Sequence, residues 1–199
     1  MQVVFAKYGG FCSGVKRAVD TAMRIEPENT YIYGEIIHNR DVVDEIEKRG
    51  IKTVNDLSEV PDGARLIIRS HGAGKAVFEE CARRNIKAVD CTCAFVRRTQ
   101  HIVKEKSAEG KTIVIVGERT HPEVIGITGW CENGAHVISS EEDDFGFLEG
   151  KDCCVVAQTT FSEEKFEKII KNLRDKRGKT VEVFKTICYT TVSRHNEAR

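Results

Sequence analysis

Neither charge is in surplus: 31 lysines and arginines face 31 aspartates and glutamates, for a formal net charge of +0. The basic excess that would point to nucleic acid is missing, and so is an acidic tail for a basic partner. No apolar run reaches the length of a membrane span. The opening MQVVFAKYGGFCSG lacks the long apolar stretch of a secretory signal. No segment is of low complexity. These absences leave a cytoplasmic protein with no nucleic-acid or membrane partner as the expectation. A chain of 199 residues suits one large or two small domains.

Cysteine, by contrast, is plentiful at eight residues. Disulfides are disfavoured in a reducing compartment, and a chain this long needs no staples. Cys81, within VFEECARR, and Cys153 with Cys154, in CCVVAQ, read as small buried hydrophobes. Cys131, after Trp130, is ambiguous. Cys12, Cys91, Cys93 and Cys188 are placed differently.

Short β-rich runs alternate with helical patterns. The strand candidates are 3–7, 30–34, 65–70, 87–91, 112–117, 136–140, 153–158 and 180–186. The clearest helix is SEEKFEKIIKNLRDKRG, where Phe166, Ile169, Ile170 and Leu173 form one apolar face, Ser162 can cap the start and Gly178 can end it. The acidic run at 141–144 reads as a solvated loop or helix start. The alternation predicts α/β units with mainly parallel sheets.

An internal repeat carries more information. Cys12-Ser-Gly-Val-Lys-Arg17 parallels Cys93-Ala-Phe-Val-Arg-Arg98, both of the form Cys-x-x-Val-basic-Arg. Gly34-Glu-x-x-His38 parallels Gly117-Glu-x-x-His121, and Ser70-His71-Gly72 parallels Gln158-Thr159-Thr160. A third unit opens at Thr186-Ile-Cys188, with Arg194 shortly after. The repeat divides the chain into residues 1–12, an N-terminal strand and the first cysteine; 13–93, a first α/β unit; 94–186, a second; and 187–199, the opening of a third. Simple duplication explains repeated glycines and valines. It does not explain why cysteine and histidine recur at strand ends.

Open α/β sheets bind ligands outside the carboxyl ends of their strands. His38, His71, Cys93, His121, Thr159 and Cys188 each follow a predicted strand, and Cys12 follows the first through Tyr8-Gly9-Gly10. If the units pack about a common axis, these positions converge on one cavity. Three cysteines, one per unit, suggest a metal centre. Iron–sulfur clusters usually take four thiolates; three on a four-iron cluster would leave one iron open as a Lewis acid. Zinc is the leading metal alternative, although structural zinc usually uses close cysteine pairs and the only one here is Cys91-Thr-Cys93. Side chains at i and i+2 of an extended segment face one way, so Cys91 can lie near Cys93 as a packed or supporting residue. The histidines suit an anion pocket, with helix N-termini adding donors. Glu123, after Pro122, is either a helix-dipole residue or a proton donor whose pKa burial raises. Thr159 and Thr160 either bind substrate or cap a helix.

Taken in order, the segments Gly10-Phe-Cys-Ser-Gly-Val-Lys-Arg17, Gly34-Glu-Ile-Ile-His-Asn39, Ser70-His-Gly72, Asp90-Cys-Thr-Cys93, Gly117-Glu-Arg-Thr-His-Pro-Glu-Val124, Gln158-Thr-Thr160 and Thr186-Ile-Cys188 are highly specific. With them the sequence resembles the 4-hydroxy-3-methylbut-2-enyl diphosphate reductase family of the non-mevalonate isoprenoid pathway. The resemblance implies three α/β units around a central [4Fe–4S] cluster, with Cys12, Cys93 and Cys188 as ligands. It implies that His38, His71 and His121, with Thr159 nearby, hold an allylic diphosphate, and that Glu123 delivers protons. The implied reaction is a two-electron, two-proton reductive dehydroxylation giving isopentenyl and dimethylallyl diphosphate, with electrons from ferredoxin or flavodoxin. Ala94 stands where the family usually has proline and His195 where glutamine is usual; neither removes a ligand. The Ser/Asn-rich diphosphate-binding motif of the third unit is absent, so the 199-residue chain is expected to be incomplete and inactive by itself. The competing expectation is a non-catalytic zinc- or anion-binding α/β module.

Overall fold

The computed structural model describes residue 3, residues 6–176 and residues 180–198. The chain forms two compact units, Phe11–Arg97 and Arg98–Arg199 with Met1–Gly10.

The first unit contains α1 (Ser13–Arg24), β1 (Thr30–Tyr33), α2 (Arg40–Lys48), β2 (Lys52–Val54), β3 (Arg65–Ile68), α3 (Lys75–Arg83) and β4 (Lys87–Asp90). Its sheet has the order β2-β1-β3-β4, with every pair parallel. The central strand β3 has a short apolar run because both its faces are covered. Ile67 points into a core with Ala18 and Ala22 of α1 and Val43 and Ile46 of α2. Its neighbours Leu66 and Ile68 point the other way, into a core with Cys81 of α3. Parallel strands need long crossovers, and the helices supply both the connections and the cover.

The second unit repeats this plan. After α4 (Ala94–Ala108) come β5 (Thr112–Val116), α5 (Pro122–Thr128), β6 (His136–Ile138), β7 (Cys153–Ala157), α6 (Glu163–Lys176), β8 (Val181–Val183) and α7 (Tyr189–Glu197). The order β6-β5-β7-β8 is again all parallel. Ile113 and Ile115 pack with Val103 of α4 and with Val124 and Ile127 of α5. Val114 and Val116 face Phe166, Ile169, Ile170 and Leu173 of α6, so the apolar face read from the sequence is the buried one. Cys153 and Cys154 fall on opposite faces of β7, each fully buried, and Cys81 is buried on α3.

Several expectations change. Of the strand expected over 3–7, residues 4 and 5 lie outside the described residues, and Val3, Ala6 and Lys7 are not in a strand. Gly178, expected to end α6, also lies outside them. β2 went unread because three residues with one buried side chain carry no periodicity; pairing with β1 makes them a strand. The segment 141–144 forms a loop in which Asp143 accepts from the backbone N–H of Ser139 and Ser140. Among the described residues no helix is long and apolar enough to cross a membrane.

Phe166 is the largest fully buried side chain under β5 and β7. Truncation to alanine is expected to cost about 3–5 kcal/mol, the range for large aromatic deletions. Urea unfolding of Phe166→Ala checks this; a loss below about 1 kcal/mol would mean that α6 does not pack as described.

Candidate functional site

In each sheet the chain leaves a central strand to one side, returns, and continues to the other side. The switch falls between β1 and β3 in the first unit and between β5 and β7 in the second. Loops leaving two such strands in opposite directions open a crevice at their carboxyl ends.

In the first unit the crevice holds two histidines. His38 follows β1 and His71 follows β3, and their ring centroids are 4.8 Å apart. Glu35 lies 3.6 Å from His38 Nδ1. His38 is exposed and His71 half-buried.

In the second unit the crevice holds a carboxyl and a hydroxyl. His121 caps α5: its Nδ1 accepts from the backbone N–H of Glu123 at 3.1 Å. An accepting Nδ1 leaves Nε2 as the protonated nitrogen of the neutral ring, a donor. Pro122 occupies the first helical turn, where its missing N–H costs nothing. Glu123 is then turned inward and is 1 % exposed. Its Oε1 accepts from the Thr159 backbone N–H at 2.6 Å and its Oε2 from Thr159 Oγ1 at 2.7 Å. Burial pushes this carboxyl above the ordinary carboxylate range, while the two Thr159 hydrogen bonds pull it down. Glu123 is thus both a first-turn acidic residue of α5 and a buried one. Gly117 permits the crevice: a Cβ there would come within 2.9 Å of the Gln158 side chain and of Val124.

The three repeat cysteines share one local structure. Cys12 and Cys188 are the N-cap residues of α1 and α7, and Cys93 immediately precedes α4. Their carbonyls accept the first helical bonds, from Lys16 (2.8 Å), Val192 (3.2 Å) and Arg97 (2.9 Å). Each of the three cysteines thus sits at a helix N-terminus, where the helix dipole places partial positive charge. The backbone before them also matches. Cys91 and Cys93 donate to Ile68 and Ser70, extending the β3–β4 ladder past β4. Cys188 donates to Thr159 (2.8 Å), and the Thr186 hydroxyl bridges to both the N–H and the C=O of Ala157.

Cys91 and Cys93 both face α1, as their spacing requires. Cys91 is packed beside Ala18 and Ala22, and burial raises its pKa. Cys93 Sγ lies against the first turn of α1, where a Cβ on Gly14 would come within 2.7 Å of it. Cys131 is half-buried at the edge of the core beside Trp130, and desolvation pushes its thiol up to about 12. Among the described residues no cysteine is in a disulfide. Gly14 and Arg17 matter more than their place in a repeat suggested. Arg17 donates to the carbonyl of Thr92 at 2.5 Å. The doubled Cys-x-x-Val-basic-Arg pattern was the signal for Arg17; Gly14 occupies one of its variable positions.

Fold and site define a class: a duplicated parallel α/β protein that places thiols at helix N-termini and polar groups in its strand-end crevices. The LytB protein family matches residues 3–199, and the chain belongs to that family. A relative from Alkaliphilus oremlandii named 4-hydroxy-3-methylbut-2-enyl diphosphate reductase is 42% identical over 203 residues, covering 100% of this chain and 72% of the relative. A relative of the same name from Clostridioides difficile is 40% identical over 204 residues, covering 100% and 73%. The solved reductase from Plasmodium falciparum superposes with a TM-score of 0.84 at 29% identity, covering 94% of this chain and 61% of that one. A second solved structure, of (E)-4-hydroxy-3-methyl-but-2-enyl diphosphate reductase, gives a TM-score of 0.79 at 32% identity, covering 98% and 71%.

Glu123 has a consequence for stability. A folded-state pKa above the unfolded value means that the folded chain keeps a proton the unfolded chain has lost. The associated stability is complete below the ordinary carboxylate pKa of about 4.3 and declines as pH rises through the raised value. Glu123→Gln keeps both Thr159 contacts with an uncharged amide. Its unfolding free energy is expected to gain on wild type steadily as pH rises above about 4.3. Parallel pH profiles of the two proteins in urea unfolding would show that Glu123 does not carry this proton.

Proposed function

We propose that this chain belongs to an enzyme that carries out the reductive dehydroxylation of 4-hydroxy-3-methylbut-2-enyl diphosphate, with Cys12, Cys93 and Cys188 as ligands of a [4Fe–4S] cluster. The observation that carries the reading is the shared setting of the three thiols: each heads a helix, and all three stand at the same place in the repeat. Membership of the LytB family and the names of the relatives support it.

The residues present fit such a group. The donor set is three thiols, with helix N-termini to offset the negative charge of thiolates and cluster. Gly14 lets Cys93 Sγ lie against the first turn of α1, where a Cβ would come within 2.7 Å of it. When bound, the cluster would supply electrons to the substrate and a Lewis-acidic iron, since three thiolates leave one iron without a protein ligand.

The chain's own residues would bind the anion and manage protons. His38, His71 and His121 would donate to the diphosphate, with Thr159 beside them. An anion of several charges needs many donors to replace its water. Glu123 is the proton source in this reading: burial favours its protonated form, and Thr159 Oγ1, 2.7 Å away, can accept as well as donate. Overall, the allylic C–O bond breaks, two electrons and two protons enter, and water leaves. Two isomeric products, isopentenyl and dimethylallyl diphosphate, follow from protonation at either end of the allyl system. Ferredoxin or flavodoxin would supply single electrons, and a reducing cytoplasm would suit eight cysteines without disulfides.

Anaerobic reconstitution with iron and sulfide, with zinc as competitor, tests the reading. Wild type is expected to take up about four irons and four sulfides. Cys12→Ser, Cys93→Ser and Cys188→Ser should lose most of this, whereas Cys81→Ser and Cys153→Ser should keep it. Stoichiometric zinc with no iron uptake would favour a non-catalytic metal module. Full cluster content in Cys93→Ser would sink the ligand assignment. Turnover of the allylic diphosphate with a reduced one-electron donor, measured in a protein of the relatives' full length, then tests the activity, and there Glu123→Gln should lower kcat with little change in KM.

A further inference from the structure

Two arginines of the cysteine-headed helices spend their hydrogen bonds on main-chain carbonyls a short way before another cysteine. On α1, headed by Cys12, Arg17 Nη2 donates to the carbonyl of Thr92, the residue before Cys93. On α7, headed by Cys188, Arg194 Nε donates to the Tyr8 carbonyl at 3.0 Å and its Nη2 to the Gly10 carbonyl. Gly10 is separated from Cys12 by Phe11 alone. One turn along α7, the Glu197 carboxylate accepts from the N–H groups of Lys7 and Tyr8, the latter at 2.9 Å. We infer that Arg17 and Arg194 are positioning residues for the thiols: the helix headed by one cysteine grips the backbone that aims another.

The geometry at Cys93 shows how such a grip works. A peptide group is planar, so holding both ends fixes its orientation. In the Thr92–Cys93 peptide the carbonyl is held by Arg17, and the Cys93 N–H is held by the Ser70 carbonyl at 2.9 Å. The preceding N–H, of Thr92, is held by Asp90 Oδ1 at 2.8 Å, and Asp90 Oδ2 is held by Arg97 at 2.8 Å. Three successive hydrogen-bonding groups are thereby fixed, and with them the direction of the Cys93 Cα–Cβ bond. Thiolate ligands must meet their metal within a few tenths of an ångström, so backbone direction matters. A purely structural arginine would serve as well with a carboxylate partner anywhere along the helix. These two reach the carbonyls of Thr92, directly before Cys93, and of Gly10, one residue removed from Cys12.

The inference rests on Cys12, Cys93 and Cys188 being cluster ligands, and its test separates the two. Wild type, Arg17→Gln, Arg17→Lys, Arg194→Gln and Arg194→Lys are reconstituted anaerobically with iron and sulfide. Three quantities are read: iron and sulfide per chain, the rate at which the chromophore bleaches under a chelator, and the electron paramagnetic resonance line shape after reduction. Thermal midpoints of the cluster-free proteins are measured alongside. Both glutamine variants are expected to bleach several-fold faster than wild type and to change line shape, with cluster-free midpoints close to wild type. Arg17→Lys should restore much of the wild-type behaviour, because a single carbonyl needs a single donor. Arg194→Lys should not, because a point-like ammonium cannot span two carbonyls as a guanidinium does. Wild-type bleaching and line shape in both glutamine variants, with wild type itself loaded, would overturn this inference alone. So would bleaching that merely follows a lowered cluster-free midpoint. A wild type that takes up no cluster would overturn the ligand assignment and this inference together.

Discussion

A parallel sheet covered by helices on both faces has only its strand ends free for chemistry. That constraint organises each unit of this protein. The faces of β3 and β7 are closed by packed aliphatic side chains, and alternate residues on each strand enter opposite cores. A ligand has no route to those faces. Reversal of the winding direction between the two central strands separates the loops that leave them, and His38, His71, Glu123 and Thr159 all stand in the resulting crevices.

The same architecture explains the setting of the cysteines. A strand that hands its chain to a helix leaves the helix's first N–H groups without intrahelical partners, and the junction residue sits over them. Serine, threonine, asparagine or aspartate ordinarily fill that place. Here three of the junctions carry cysteine, with no side-chain capping bond at Cys12 or Cys188. The repeat thus exchanges a stabilising cap for a thiol in a positive local field. The backbone leading to Cys93 and Cys188 continues the sheet ladder beyond the last strand residue, so the junctions are extensions of a rigid element. Where β8 ends further from its cysteine, the Thr186 side chain stands in for the missing ladder bonds.

Glu123 shows how the fold turns an ordinary helix-start residue into a buried acid. A first-turn glutamate after proline is common on protein surfaces, where it faces water and complements the dipole. Here α5 is short and lies against β5 and β7, so its first turn faces inward. The only donors on the carboxylate among the described contacts belong to Thr159. Desolvation is the largest influence on its proton affinity.

The sequence by itself determined the α/β class, the duplication and most of the strands and helices. Local periodicity and the repeated Cys, Gly-Glu-x-x-His and strand-end motifs are written in adjacent residues. It also determined which cysteines are core: Cys81, Cys153 and Cys154 lie in apolar or helical runs that can only be buried. It missed β2, whose three residues become a strand only through pairing with β1. It left Glu123 between two roles, because burial of a first turn depends on what packs over it. It treated Arg17 as a repeat marker and gave Gly14 no role, although Arg17 holds the peptide before Cys93 and Gly14 lets the Cys93 sulfur lie against α1. Those roles belong to tertiary structure because each joins residues far apart in the chain, and a spacing pattern carries no distance between them.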